Sequence, residues 1–184
     1  SDTAWPRLVS LNKAARWRSA IAAAFGAPLP VVVVGAADLV AFGKLFIESE
    51  YVAESNALVC RRRPRAPDDA EVYAVHVIAL EGRTQGPVEW EGDRGRFLGR
   101  GRGPEDPQAL DGRPLSGTTG VLLDPIVSLR QRVRLAPGGV VRLSFATGMA
   151  SSRETALALA QRYHDPTATA RTFALAFAHA RSRL

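Results

Sequence analysis

Cysteine and histidine are scarce in this chain of 184 residues, and both scarcities restrict its chemistry. Cys60 is the only cysteine, so an internal disulfide bond and a four-cysteine zinc site are excluded. His76, His164 and His179 match no spacing of a two-histidine metal motif. We therefore expect neither a metal nor another cofactor, and the reducing cytoplasm suits the single thiol.

The sequence also lacks a long hydrophobic run. Its longest apolar stretch, around residues 30–34, is interrupted by glycine and Asp38 and falls short of the about 18 apolar residues that span a bilayer. The N-terminus does not have the charged region, apolar region and small-residue cleavage site of a secretory signal in that order. From these features we expect a soluble domain.

Acidic residues are fewer than basic ones, which gives a net charge of +6. A positive charge of this size suggests nucleic acid as a partner. However, nearly all the basic residues are arginine, and alanine, glycine and proline are also abundant. A GC-rich genome produces the same bias. Arg130, Arg132 and Arg134 alternate with aliphatic residues and not with the aromatic residues on which bases stack. We therefore expect no nucleic-acid partner.

Short runs of valine, isoleucine, leucine and aromatic residues fill the middle of the chain and are separated by glycine, proline and aspartate. This pattern predicts a mostly β, antiparallel fold. We expect residues 128–135 to form a half-exposed strand with three guanidiniums on its outer face, joined by the turn at 136–139 into a hairpin with 140–147. The predicted strands are Pro30–Val34, Lys44–Val52, Asn56–Arg63, Glu71–Leu80, Val88–Glu91, Gly120–Leu123, Ser128–Leu135 and Val140–Thr147.

Helical periodicity appears at both ends of the chain. Apolar residues recur at helical spacing from Arg7 to Phe25, which predicts an N-terminal amphipathic helix. Ser151 with Glu154 has the spacing of a capping box, and Asp165 with Pro166 is typical of a second helix start. We therefore divide the chain into an N-terminal helical segment at 1–29, a β-sandwich at 30–149 and two C-terminal helices at 150–184.

No complete catalytic motif is present. Ser116 lacks the first glycine of a nucleophile elbow, and the glycines and arginines at 99–103 lack the Lys-Ser or Lys-Thr of a phosphate-binding loop. We interpret 99–103 as a turn-rich strand end, in which Arg100 and Arg102 contact a substrate or an anion. Trp90 is the candidate for stacking on a sugar ring.

Four longer segments, taken together and in order, resemble one known family. They are LFIESEYVAESNALVCRRRPRAPDDAEVYAVHVIALEG at 45–82, RFLGRGR at 96–102, PLSGTTGVLLDPIVSLRQRVRLAPG at 114–138 and SFATGMASSRETALALAQRYHDP at 144–166. The chain resembles the phosphorylase-like region of cyclic β-1,2-glucan synthases in glycoside hydrolase family 94, a family that also includes cellobiose phosphorylase.

The resemblance implies an architecture and a cellular setting. In this family a β-supersandwich precedes a helical linker and then an (α/α)6 barrel, which holds the catalytic aspartate and most phosphate-binding residues. The chain would supply the supersandwich and the linker helices, and no residue is carried over as catalytic. Residues 1–29 match nothing in the family. The resemblance also implies a bacterial parent enzyme that is associated with the inner membrane.

Three functions are therefore compared. The first is a non-catalytic scaffold domain whose partner is the parent's catalytic barrel. The second is a free-standing glycan-binding module, in which Trp90, Tyr73 or Tyr51 stacks on a β-glucan oligosaccharide. The third, a basic nucleic-acid binder, ranks last. Phe173 and Phe177 lie one turn apart and form an apolar face that the sandwich, the barrel or a second copy in a homodimer would cover.

Overall fold

The computed structural model describes residues 29–35, 45–64 and 66–181, and the predicted helix at 7–25 lies outside them. The strands are β1 Leu29–Gly35, β2 Ile47–Val52, β3 Ala57–Arg62, β4 Val72–Glu81, β5 Glu89–Asp93, β6 Gly120–Val121, β7 Pro125–Val133 and β8 Arg142–Ala150. The α-helices are α1 Arg94–Leu98, α2 Arg153–His164 and α3 Pro166–Arg181. Every strand predicted from the period-2 pattern is present, with ends shifted by a few residues.

The strands form two antiparallel sheets. One has three strands in the order β1-β7-β5, and the other has five strands in the order β6-β2-β3-β4-β8. Leu58 and Ile78 of the larger sheet pack against Leu129 of the smaller sheet and exclude water from the space between them. This arrangement confirms the prediction of a mostly β, antiparallel sandwich followed by helices.

Helix α2 covers the outer face of the five-stranded sheet. Ala156 and Ala160 are fully buried against Val59, Val75 and Val77, because small residues let the helix approach the sheet closely. Strands β3 and β4 are consequently buried on both faces and read as nearly continuous apolar runs. The molecule therefore has three layers: the smaller sheet, the larger sheet and α2.

The start of α2 differs by one residue from the predicted capping box. Ser152, and not Ser151, is the N-cap, and its hydroxyl oxygen accepts a hydrogen bond from the amide of Thr155 at 3.1 Å. The start of α3 is as predicted. The carboxylate of Asp165 accepts from the amide of Thr167 at 2.8 Å, one residue beyond Pro166.

The predicted hairpin between residues 128–135 and 140–147 is wrong. The turn does form, since the amide of Gly139 donates to the carbonyl oxygen of Ala136 at 2.9 Å, but β7 and β8 belong to different sheets. Strand β7 is the central strand of its sheet, so β1 and β5 occupy both of its edges. Strand β8 pairs with β4 instead, from Tyr73↔Ala150 to Glu81↔Arg142.

None of the described helices is both long enough and apolar enough to cross a membrane.

His76 lies in the inter-sheet layer and is 1% exposed. Its Nδ1 atom hydrogen-bonds to the hydroxyl of Thr147 at 2.8 Å, and its ring stacks on Phe145 with the centroids 5.9 Å apart. The imidazole is therefore a fully buried, hydrogen-bonded group of this layer. Burial lowers the pKa of His76 to about 4, because the charged form would lose its hydration.

We predict that His76 makes the fold sensitive to mild acid. The pKa of His76 is below its unfolded value of about 6.5, so the unfolded chain binds the proton first as the pH falls. The contribution is therefore fully present above about pH 6.5 and is lost progressively down to about pH 4, by about 3 kcal/mol in total. Urea unfolding at a series of pH values measures this loss.

His76→Gln should flatten that part of the stability profile, while His179→Gln, a change at an exposed position on α3, should leave it as in the wild type. Parallel profiles for the wild type and His76→Gln would contradict the assignment.

Candidate functional site

The segment between β5 and β6 folds back over the outer face of the three-stranded sheet. Helix α1 begins there because the Oδ1 atom of Asp93 accepts hydrogen bonds from the amides of Gly95 at 2.7 Å and Arg96 at 3.2 Å. Phe97 is buried against Ile126 of β7 beneath the segment. This cluster of apolar side chains fixes the segment to the sheet.

Arg130 of β7 is completely buried under this segment. Its guanidinium donates hydrogen bonds to the carboxylate of Glu89 and to the carbonyl oxygens of Ala109 and Arg113. The prediction that the arginines of residues 128–135 share an exposed face is therefore wrong at this position. The reason is that the segment following α1 covers the outer face of β7 and supplies carbonyl partners for the buried cation.

The other two arginines of that face are progressively more exposed. Arg132 is partly exposed, with its Nε atom 3.1 Å from the carboxylate of Glu89, and Arg134 is exposed beyond the end of β7. The outer face of β7 therefore changes from buried to exposed along the strand.

Glu89 is the acidic centre of this group. Glu89 and Arg130 are opposite each other in the register of β5 and β7. Burial raises the pKa of Glu89, but the backbone amide of Leu115 at 2.8 Å and the guanidiniums of Arg130 and Arg132 outweigh burial and hold it below its usual range. The carboxylate therefore stays ionised and balances the arginines.

Glu91 lies two residues further along the same face and is 2% exposed. One carboxylate oxygen accepts from the amide of Asp93 at 3.0 Å, and the other accepts from the amide and the hydroxyl of Ser116. Gly92 allows the backbone of β5 to lie close to the loop around Thr118, since a Cβ atom at position 92 would lie 2.5 Å from the carbonyl oxygen of Thr118. The strand β5 and the loop around Ser116 are thus joined through Glu91.

A cleft of about 320 Å³ lies beside these groups. Its lining includes Glu91 and Ser116, together with the exposed arginines Arg96, Arg100 and Arg113. The fold therefore brings the predicted site residue Arg100 to a concave polar surface, which we call the arginine cleft.

Arg102 does not line the arginine cleft. Its guanidinium contacts both carboxylate oxygens of Asp111, at 2.5 and 2.9 Å, and lies 3.0 Å from the carboxylate of Asp106. These bonds hold the loop around residues 102–111 together. They also occupy much of the hydrogen-bonding capacity of Arg102.

Trp90 points away from the arginine cleft, because neighbouring residues of a strand face opposite sides. Its ring stacks on Tyr51 with the centroids 3.6 Å apart, in the layer between the two sheets. Tyr73 is also buried, and its hydroxyl donates to the carboxylate of Glu71 at 2.9 Å. The three aromatic residues proposed to stack on sugars therefore form no exposed platform in this structure.

The described residues bring together few groups suited to nucleophilic or metal chemistry. The hydroxyl of Ser116 bonds to Glu91, and no described histidine lines the arginine cleft. Burial raises the pKa of the Cys60 thiol to about 11, so the reactive thiolate is rare at neutral pH. Within the described part of the chain, no group of three histidine, cysteine or acidic residues is placed to hold a metal ion.

The sequence analysis named Arg100, which lines the cleft, but it did not name Glu89, Glu91 or Arg113 and it misplaced Arg130. The sequence did contain evidence for the acidic pair. Glu89 and Glu91 lie on one face of a strand, and their negative charges complement the arginine-rich face of 128–135. Only the pairing of β5 with β7, two strands that are distant in sequence, brings these faces together.

Comparison with known proteins agrees with this architecture. The family described as glycosyl hydrolase 94, supersandwich domain, matches residues 32–166. Cyclic beta-(1,2)-glucan synthase NdvB of Rhizobium meliloti (strain 1021) is 36% identical over 126 residues, which are 68% of this chain and 4% of that protein. The chain thus spans a small fraction of the length of this relative.

The two-sheet sandwich and these matches define the class: a β-sandwich domain of a carbohydrate-active enzyme. The chain belongs to glycosyl hydrolase family 94, and the supersandwich domain of that family covers residues 32–166. The family resemblance expected from the sequence is confirmed.

We predict that Arg130 is a major stabilising residue of the sandwich. Arg130→Met would leave the carbonyl oxygens of Ala109 and Arg113 without this donor and would remove the buried ion pair with Glu89, so it should lower the free energy of unfolding by about 3 to 5 kcal/mol. Arg132→Met is the matched control: its side chain is 30% exposed, and its loss should cost about 1 kcal/mol or less. Equal, small losses in urea unfolding of the two variants would show that the buried contacts contribute little.

Proposed function

We propose that this chain is a non-catalytic scaffold domain of a larger family 94 enzyme, and that it acts by packing against the enzyme's catalytic barrel. The observation that carries the proposal is the exposure of large apolar side chains on α3. Phe173, Leu175 and Phe177 are 61%, 70% and 67% exposed, although α3 begins directly after the sandwich helix α2. Only the start of α3 approaches the larger sheet, where Thr169 bonds to Ser144 at 3.2 Å.

Exposed aromatic residues on one helix face favour an interface. Phe173 and Phe177 are separated by one helical turn, and covering each is worth about 1.5 to 3 kcal/mol. In the parent enzyme we propose that the barrel covers this face. In the chain alone, a second copy is the available apolar partner.

The matched regions support a role as part of a larger enzyme. The family match ends at residue 166, where α3 begins, and the matched relative is far longer than this chain. Since that relative is named a cyclic beta-(1,2)-glucan synthase, we propose that the parent of this chain acts on β-glucan, by synthesis or by phosphorolysis. The alternative of a glycan-binding module has less support, because the partly buried rings of Trp90 and Tyr51 stack on each other between the two sheets.

We predict that the pure chain releases no glucose 1-phosphate from β-1,2-glucan and phosphate. Glycosidic chemistry needs a carboxylic acid that can protonate the leaving oxygen, whereas Glu89 and Glu91 already accept hydrogen bonds as carboxylates. A coupled assay for glucose 1-phosphate measures the activity, with added glucose 1-phosphate as the positive control. Turnover by the pure chain would overturn the scaffold proposal.

We also predict that the isolated chain forms a homodimer through α3. Sedimentation should show a reversible dimer for the wild type and a monomer for Phe173→Asp/Phe177→Asp, because the two carboxylates cannot be buried in an apolar interface. Val140→Asp, which changes another exposed apolar residue in the turn between the sheets, should remain dimeric. A wild type that stays monomeric over the micromolar range would refute the dimer.

A further inference from the structure

The arginine cleft has an excess of positive charge. Arg96, Arg100 and Arg113 line it together with a single carboxylate, that of Glu91. We propose that this cleft binds a phosphoryl group, either as inorganic phosphate or as the phosphate monoester of a sugar. The site is separate from the interface proposed on α3, since the cleft lies over the smaller sheet and α3 follows the helix on the larger sheet.

The arginines of the cleft differ from the arginines around it in their partners. Among the described residues, Arg94 pairs with Asp124 at 3.3 Å, and Arg102 with Asp106 and Asp111. No carboxylate of the described chain forms an ion pair with Arg96 or Arg100.

Arg113 is the one cleft arginine with an acidic neighbour. It is near enough to Asp111 to help lower the pKa of that carboxyl, although the hydrogen bonds from Arg102 are the main cause. The neutralising carboxylates are thus gathered on the Arg102 side of the loop. The guanidiniums of the cleft are therefore available to bind an external anion.

Glu91 offsets only one of the three positive charges that line the cleft. Both of its oxygens accept hydrogen bonds, from the amide of Asp93 and from the amide and hydroxyl of Ser116. The carboxylate is therefore engaged in holding the wall of the cleft. An arriving anion meets the guanidiniums at the opening, where Arg96, Arg100 and Arg113 are exposed.

The walls of the cleft are held in place before any ligand arrives. Arg130 binds the carbonyl oxygens of Ala109 and Arg113, which restrains the backbone that presents the Arg113 side chain. Gly99 has a φ of +83°, and a Cβ atom there would lie 2.6 Å from the side-chain oxygen of Gln108, which also lines the cleft. Arg100 follows this fixed turn. Such preorganisation lowers the entropy cost of binding.

The chemistry of the lining favours a phosphoryl group over a neutral sugar. No aromatic side chain is among the described residues that line the cleft, so a sugar ring has no face on which to stack. Three guanidiniums offer more charged donors than the two oxygens of a carboxylate can use, whereas a phosphoryl group has three terminal oxygens. The volume of about 320 Å³ leaves room for a sugar, whose hydroxyls would meet Gln108 and Ser116.

The test is calorimetric titration of the 184-residue chain at constant ionic strength with inorganic phosphate, glucose 6-phosphate, acetate and glucose. We expect saturable binding of the two phosphates and about tenfold or greater loss of affinity in Arg100→Gln and in Arg113→Gln. Arg171→Gln, which removes the same charge from an exposed position on α3, should bind as the wild type does. Unchanged melting temperatures would show that the variants are folded.

Several results would overturn the proposal. One is equal weakening by Arg171→Gln, which would mean that net charge and not the cleft attracts phosphate. Another is binding of glucose or acetate as tight as that of the phosphates, which would assign the cleft to neutral sugars or to carboxylates. The absence of saturable binding would exclude the site. In a parallel titration with single-stranded DNA, tighter binding that is lost in Arg100→Gln and Arg113→Gln would instead assign the cleft to nucleic acid. None of these outcomes bears on the scaffold role of α3.

Discussion

The structure around the smaller sheet depends on one buried cation, the guanidinium of Arg130. A charge that is fully removed from water must be surrounded by acceptors, and β7 alone cannot provide them. Glu89 on the neighbouring strand and two backbone carbonyls from the loop before β6 supply them. The loop must therefore lie across the sheet, and the arginine cleft exists because it does. The packing of Phe97 and Ile126 secures the same segment through apolar contact, with no polar group to satisfy.

Much of the fold can be predicted from local sequence patterns. Residues 72–81 are a continuous apolar run because sheet partners and α2 cover both faces, and Asp165 with Pro166 marks a helix start whose hydrogen bonds are local. The error at residues 128–147 has a definite cause. A tight turn between two strands predicts a hairpin, but whether the strands pair depends on which edges are already occupied, and β1 and β5 occupy those of β7.

The candidate site was less accessible to such reasoning. Arg100 was named as a candidate because glycines flank it, which is a local signal. Glu89 and Arg130 are separated by 41 positions and meet only through strand pairing, so neither the burial of Arg130 nor the ionised state of Glu89 could be inferred from its own neighbours in sequence. For Trp90, local sequence suggested a site residue where the structure shows an internal contact. A tryptophan near a turn-rich loop is a reasonable candidate for sugar stacking, yet the alternation of β5 turns its ring towards Tyr51 in the layer between the two sheets.

The passage of the chain from β7 to β8 has a consequence for how the domain unfolds. Residues 134–141 connect the centre of one sheet to the edge strand of the other, and Leu129 on one side of that passage packs against Ile78, whose own strand pairs with β8. Separation of the strands of either sheet therefore disturbs the other sheet, because residues 134–141 are a short connection between them. The pairing of Leu29 with Val133 closes a loop of most of the sandwich sequence, a non-local contact with a high entropic cost. The two sheets should accordingly be gained and lost as one cooperative unit.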